Sequence, residues 1–393
     1  MKAKILLLVI LYAVAALSLP GHPALSAEET SRASSDIPIL LVTQRPTRPV
    51  HHLSDYQKYA APSASYGILQ IRRRIPKGGA EAIKASNCQA TESTFAVTDS
   101  QLSNQLTQFY GNSTSFGAAK LIFDEDQMFL AHDEFRKRSF FNVLQQFKAD
   151  CQQSGCIVFV HGCCVSLKGA VRESAELSEK LHMPVVCFDW NTPSGWWLPE
   201  LNPYHKSERA FEMSQLIFNA FMEKLVSELP AEKIVLVGHS MGCRMIKDYL
   251  ANNQSKAKFG EVHFVSADMC LPAYLEQENV ICDKAHTAYL YTSDRDVAMK
   301  ASQLLSVNVV RTGRPEGFLE FCTCVKDFSL PSNRYFVNLS SLRTKSPIHH
   351  CIPVDVLAAV HDQGPFASTN SWRIVPSSSR QGHGHLMKLQ YTE

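Results

Sequence analysis

Runs of near-continuous apolar residues recur through the middle of the chain, separated by stretches whose apolar positions fall three and four residues apart. Ile157-Val158-Phe159-Val160, Val185-Val186-Cys187-Phe188, Ile234-Val235-Leu236-Val237, Val262 to Val265 and Ala288 to Tyr291 each have the length and composition of a buried strand. Between them, Ala170 to Leu181 reads as an amphipathic helix. Ala210, Met213, Ile217, Ala220, Phe221 and Leu225 line one face of a second, and Met245, Ile246, Tyr249 and Leu250 one face of a third. Upstream, Phe140, Leu144 and Phe147 keep helical spacing, Ile39-Leu40-Leu41-Val42 reads as a strand, and Tyr66 to Ile75 alternates as another. Pro46, Pro49 and Pro62 mark irregular backbone between those two strands, and the interval 88–117, rich in serine and glutamine, carries no period. Strands apolar on both faces, alternating with helices, predict an α/β fold: a mostly parallel central sheet with helices on both faces and an N-terminal strand extension. In such sheets ligands gather at the carboxyl ends of the strands.

Four segments follow from this pattern. Lys2 and Lys4 precede the apolar stretch Ile5 to Leu19 and the small residues Ala24 to Ala27, so residues 1–27 read as a secretory signal peptide with export to a periplasmic or extracellular space. An uncleaved N-terminal membrane anchor is the alternative for the same stretch, which is short for a spanning helix. Residues 28–150 are expected to form an N-terminal extension packing on the core, 151–365 the core, and 366–393, with Ser377-Ser378-Ser379 and Gly382-His383-Gly384-His385, a C-terminal tail.

Composition narrows the partners. The 393 residues are 45% apolar, ample for a large core, and 39 basic against 37 acidic side chains leave a net charge of +2. That balance offers no field for nucleic acid, and the run Arg72-Arg73-Arg74 between Ile71 and Ile75 reads as a solvated strand face. Twelve cysteines on an exported chain suggest disulfides, with Cys151 and Cys156 a local pair. Cys322 and Cys324, with His349, His350 and Cys351, match no standard zinc spacing and are read as disulfides or buried thiols. Neither a metal nor an organic cofactor is expected.

The chemistry is carried by Gly238-His239-Ser240-Met241-Gly242 at the end of the Ile234 strand. A serine between glycines is in most chains only a turn residue. Here a buried-strand pattern precedes it and an amphipathic helix follows, the context in which a strained turn lifts a hydroxyl clear of the backbone as a nucleophile. Such a serine needs a base, an acid that orients the base, and donors for the oxyanion. The donors expected are the backbone N–H groups of Met241 and of Cys163, the latter following His161-Gly162 at the end of the Ile157 strand. Asp296, just beyond the Ala288 strand, is the leading acid, with Asp294 and Asp268 as alternatives; each could equally be a helix cap or loop carboxylate. His350 leads as base, in the chain order Ser, Asp, His, and the adjacent His349 is its alternative. His161 and His239 read as packing residues beside the site. Trp190, Trp196 and Trp197 either line an apolar substrate pocket or merely cover the core.

These residues resemble a bacterial α/β-hydrolase family of unknown function. The resemblance runs from about Ile39 to His361 through Leu41-Val42-Thr43-Gln44-Arg45, Tyr66-Gly67, Phe159-Val160-His161-Gly162, Phe188-Asp189-Trp190 with Pro193-Ser194-Gly195, the Ser240 turn with Arg244, Ser266-Ala267-Asp268, and Ser293 to Asp296 with Ala298 and Ser302. It implies an α/β-hydrolase fold with Ser240 as nucleophile and Asp296 and a late histidine as its partners. Three departures stand out: Cys163-Cys164 where an aromatic residue and asparagine are expected, Ser-Ala-Asp for Ala-Pro-Asp, and His349-His350 for Gly-His. The expectation is an exported serine hydrolase acting on a carboxylic ester or related acyl bond of a small molecule or lipid, which could bring it near a membrane surface. An acyltransferase using the same site and a catalytically silent interaction protein are the alternatives. Oligomeric state is not legible.

Overall fold

The computed structural model describes residues 37–44, 65–71, 123–124, 127–128, 140–190, 192, 202–253, 257–305, 309–314, 332–344, 348–376 and 386–392. Ten strands form one sheet: β1 (Ile37–Thr43), β2 (Ser65–Ile71), β3 (Cys156–Val160), β4 (Val185–Asp189), β5 (Ile234–His239), β6 (Phe259–Val265), β7 (Ala285–Thr292), β8 (Arg334–Asn338), β9 (Trp372–Pro376) and β10 (Leu386–Tyr391). Their spatial order is β9-β10-β8-β7-β6-β5-β3-β4-β1-β2. Every pairing is parallel except β1 with β2 and β9 with β10 at the two edges. The helices are α1 (Phe140–Ser154), α2 (Leu167–Leu181), α3 (Asn202–Glu228), α4 (Gly242–Asn252), α5 (Leu271–Asp283), α6 (Val297–Leu305) and α7 (Val354–Gln363). This is the α/β-hydrolase architecture.

Residues alternate along each central strand between two apolar layers, because successive side chains leave a pleated strand on opposite faces. Val158, Val160, Leu236 and Phe188 pack with residues of α1, α3, α4 and α5 on one side. Ile157, Phe159, Val235 and Val237 pack with α2 and α7 on the other. Both faces are thus covered, as parallel strands require. The registers Val160↔Gly238 and Gly238↔Phe264 bring the carboxyl ends of β3, β5 and β6 level.

The N-terminal strand extension is part of the sheet itself: β1 lies parallel to β4 and carries β2 on its other edge. Three expectations change. Residues 366–393 are more than a tail, since β9 and β10 extend the opposite edge beside β8; Ile374, Met387 and Leu389 are buried there. The buried face of α3 is rotated from the predicted one. Phe218, Phe221, Met222 and Leu225 form it, while Ala220 is exposed, because the Phe218 ring fills the space above β4 edge-on to Phe188, with centroids 4.9 Å apart. Cys151 and Cys156 are buried free thiols rather than a disulfide in the structure. The unpatterned interval 88–117 and residues 1–27 lie outside the described residues. Among the described residues no helix is long and apolar enough to cross a membrane.

One polar cluster ties α7 to the sheet away from the elbow. The buried His263 ring stacks on Tyr289 at 5.0 Å, its Nε2 lies 2.9 Å from the Glu261 carboxylate, and its Nδ1 lies 3.1 Å from the Tyr291 hydroxyl. His361 on α7 places Nδ1 3.1 Å from the same Glu261 oxygen. Burial opposes ionisation of Glu261, but hydrogen bonds from His263 and His361 outweigh it and hold its pKa at about 2. The same hydrogen bond raises His361 above its ordinary 6.5. Glu261 contributes stability above its ordinary 4.5, lost as pH falls toward about 2; His361 contributes below 6.5, lost as pH rises through its folded value. Glu261→Gln should therefore lower unfolding stability most between about pH 4.5 and 6.5, by about 1.5–3 kcal/mol, and less at alkaline pH. Urea unfolding at three pH values checks this; a pH-independent loss would contradict it.

Candidate functional site

Strand β5 runs straight into the turn at Ser240, whose φ of +53° is left-handed for a residue with a side chain. Such a conformation costs about 1–3 kcal/mol and persists where neighbours over-determine it. Here Ser240 N–H donates to the Val265 carbonyl at 2.9 Å, and the Ser240 carbonyl accepts from Cys243 and Asp268 N–H, each at 3.1 Å. The turn also needs a glycine on its far side. A Cβ at Gly242 would stand 2.5 Å from the His161 carbonyl oxygen and closer still to that of Val160. Met241 caps α4 without a side-chain hydrogen bond, and Met245, Ile246, Tyr249 and Leu250 bury its apolar face as predicted.

Asp296, fully buried, serves two structures at once. Its Oδ1 accepts the Met299 N–H at 2.9 Å, capping α6, and its Oδ2 lies 2.8 Å from His350 Nδ1. A carboxylate only accepts, so Nδ1 carries a proton. One side chain thus both caps α6 and contacts the His350 ring. The loop bearing His350 is pinned to α6 by the bond from Val297 N–H to the Ile348 carbonyl, 2.9 Å. The His350 ring lies 4.7 Å from that of His239, the residue before Ser240. Among the described residues no hydrogen bond joins His350 Nε2 to the Ser240 hydroxyl; in substrate-free sites such contacts are often long and tighten on binding.

The loop after β3 approaches the elbow closely, since a Cβ at Gly162 would sit 2.8 Å from that of Ser240. Its neighbours' amides are engaged: Ser240 N–H by Val265, Cys164 N–H by the Thr192 hydroxyl at 2.7 Å. Among the described residues, neither the Met241 nor the Cys163 N–H donates to a protein acceptor. The loop is braced from below. His161 Nε2 lies 3.1 Å from Asp189 Oδ1, Thr43 Oγ1 donates to Asp189 Oδ2 at 2.6 Å, and His161 Nδ1 faces the Gly162 carbonyl at 2.8 Å. Trp190 belongs to this brace and not to a pocket: it is fully buried, stacks on His161 at 5.8 Å and donates Nε1–H to the His161 carbonyl at 2.8 Å. Trp196 and Trp197 lie outside the described residues, as do Cys322, Cys324, His383 and His385.

The alternative carboxylates and histidine are placed elsewhere. Asp268 takes Arg244 Nη2 at 2.7 Å, Arg311 Nε at 3.1 Å, Ser302 Oγ at 2.6 Å and the Tyr204 hydroxyl at 2.8 Å. Burial alone would raise its pKa, but the two arginines with Ser302 and Tyr204 hold it low. So saturated, it joins α3, α4 and α6 and has no oxygen to spare for an imidazole. Among the described residues no histidine donates to Asp294, whose N–H donates to Ser340 Oγ at 3.0 Å. His349, with φ of +53°, lines a small cavity with Ser266, Thr292 and Cys351, and burial lowers its pKa.

Two neighbours of His350 escaped the sequence reading or gained a role. Among the described residues neither buried His239 nitrogen has a hydrogen-bond partner, and burial, then His350 and His161, push its pKa well below 6.5, so it meets His350 as a neutral ring. Glu173 on α2 carries no signal that singles it out in the sequence. Its buried Oε2 has no partner among the described residues, burial raises its pKa to about 7, and His350 is one of the charges opposing that rise. Among the described residues no group of three or more His, Cys, Asp or Glu is arranged to hold a metal. The hub carboxylate of Asp268 is the common partner of the buried Arg311 and the partly buried Arg244, so Asp268→Ala should cost about 3–5 kcal/mol. Denaturant unfolding measures this, and a loss under 1 kcal/mol would show that the hub carries little.

The sequence model of the family described as alpha/beta hydrolase of unknown function (DUF900) matches residues 137–353, more than half of the chain, and the protein belongs to that family. No curated protein sequence matches it. Among solved structures it is similar to a phospholipase/carboxylesterase from Dyadobacter fermentans DSM 18053, with 16% identity, 53% of this chain and 88% of that chain covered, and a TM-score of 0.31. An esterase of Pyrobaculum calidifontis shares 12% identity over 52% of this chain and 75% of its own, with a TM-score of 0.28. The 2,6-dihydroxy-pseudo-oxynicotine hydrolase shares 11% over 67% and 87%, with a TM-score of 0.32.

Proposed function

We propose that this member of the family is an exported serine hydrolase that cleaves a carboxylic ester or related acyl bond of a small molecule or lipid through an acyl-serine intermediate. The observation that carries the reading is the Asp296–His350 contact at 2.8 Å, on a ring packed against the residue preceding Ser240. His350 Nε2 takes the Ser240 proton as Oγ attacks the acyl carbon, and Asp296 keeps the imidazole in the tautomer that can accept it. Negative charge then develops on the former carbonyl oxygen. The Met241 and Cys163 N–H groups, without protein acceptors among the described residues, receive it; each such donor contributes about 3–4 kcal/mol of transition-state stabilisation. His350 returns the proton to the leaving alcohol, and water, activated by the same base, releases the acid.

A fluorophosphonate probe tests the assignment directly. It should label the native protein and not Ser240→Ala, and labelling that survives the substitution would refute the nucleophile. Asp296→Asn separates the two duties of that carboxyl. Asparagine caps helices as well as aspartate does, so the melting temperature should move little, whereas turnover of a short-chain ester should fall by about 10⁴-fold because the imidazole loses its tautomer. Equal loss of folding and activity would reduce Asp296 to a cap. The mass of the mature N-terminus tests export, with removal of residues up to about Ala27 expected.

A further inference from the structure

The two residues after His161-Gly162 are both cysteines, and their sulfurs lie 2.8 Å apart. Both thiols are partly exposed, whereas Cys151, Cys156, Cys187, Cys243 and Cys282 are buried. Cys164 has a left-handed backbone, with φ of +64°, and its N–H is held by Thr192 Oγ1, which in turn lies 2.9 Å from the buried Ser207 hydroxyl. Among the described residues the backbone N–H of Cys163, like that of Met241, donates to no protein acceptor. A dithiol is therefore built into the loop whose position decides whether that amide faces Ser240.

We propose that Cys163 and Cys164 form a reversible thiol–disulfide site, closed by exchange with a low-molecular-weight disulfide and reopened by thiols, whose state sets the oxyanion loop. The site stands on the thiol geometry alone; its effect on catalysis rests on the hydrolase reading above. Hydrogen bonds from the Cys163 thiol and from Ser207 draw the Cys164 pKa down against its burial, while the contact with Cys164 and burial push Cys163 up. Cys164 is thus the attacking thiolate and Cys163 the resolving thiol. The Cys164 thiolate attacks one sulfur of the disulfide, forming a mixed disulfide and releasing one thiol. The Cys163 sulfur, giving up its proton, then attacks Cys164 Sγ and expels the second. Two protein thiols are oxidised to one S–S bond and the external disulfide is reduced to two thiols. Adjacent Cα atoms are only about 3.8 Å apart, below the usual disulfide span of about 4.4–6.8 Å. The closed ring is strained and so readily reduced, and closing it must rotate the 163–164 peptide and move the neighbouring Cys163 amide.

Full-length protein equilibrated in glutathione buffers from fully reduced to fully oxidised, then alkylated and digested, tests the site. The peptide holding residues 163 and 164 should become unalkylated and two hydrogens lighter as oxidised glutathione rises, and revert with dithiothreitol. The rate of fluorophosphonate labelling at Ser240 should fall by about tenfold or more in step with it, as expected when an oxyanion donor is displaced. Cys164→Ser and Cys163→Ser should each abolish the ring and the redox dependence. Alkylation of both cysteines across the whole range would overturn the site, and a ring that forms without changing the labelling rate would overturn its control of the loop. Reduced protein that never labels would count against the hydrolase reading, and the peptide masses would still decide the thiol site.

Discussion

The elbow at Ser240 and the loop that follows β3 are pressed together until neither has room for another carbon atom. Gly162 meets the Ser240 side chain and Gly242 meets the carbonyls of Val160 and His161. This contact exists because the parallel registers of β3, β5 and β6 end level, and it fixes the distance between a hydroxyl and two unengaged amides. The left-handed backbone at Ser240 is affordable only in that setting, where hydrogen bonds to Val265, Cys243 and Asp268 hold the residue from three directions.

Among the described residues, the carboxylates around this contact are distributed so that only Asp296 addresses the imidazole. Asp268 is neutralised by Arg244 and Arg311, and Asp189 is spent on His161 and Thr43. Asp296 divides its oxygens between a helix terminus and His350. A single buried carboxylate in contact with the ring gives the imidazole one orientation and leaves its other nitrogen outside that contact. The neutral His239 ring adds packing there without a competing charge.

Much of this was legible in the chain. Strands β3 to β7 announced themselves because each is buried on both faces, and the elbow because glycines bracket a serine between a strand and an amphipathic helix. Chain order put Asp296 and His350 forward together and the two lie in contact, whereas adjacent His349 and His350 share every local signal, so only the loop geometry distinguishes which ring meets the carboxylate. The edges were less readable. Arg334-Tyr-Phe-Val-Asn338 and the two C-terminal strands are short, mixed in polarity and stabilised by neighbours far away in sequence, so local pattern undervalues them. The α3 face was misread by about one residue because aliphatic and aromatic residues occur all round that helix, and only the cavity above Phe188 selects Phe218. Trp190 gave no sign of whether it would line a pocket or a core; its indole N–H found a carbonyl in the core.

The placement of β1 links the far N-terminal part of the chain to the chemistry. Thr43 closes that strand and donates to Asp189 at the end of β4; Asp189 meets His161 at the end of β3; His161 faces the Gly162 carbonyl one residue before the Cys163 amide. All three side chains are buried, where an unsatisfied polar group costs far more than at the surface. Loss of the Thr43 hydroxyl would leave an Asp189 oxygen with one fewer donor in that setting, and the disturbance would pass to the imidazole and the carbonyl it steadies. An early strand that packs as a mere edge in local terms is therefore part of the scaffold of the loop after β3, which is why it sits inside the sheet beside β4 and not on its surface.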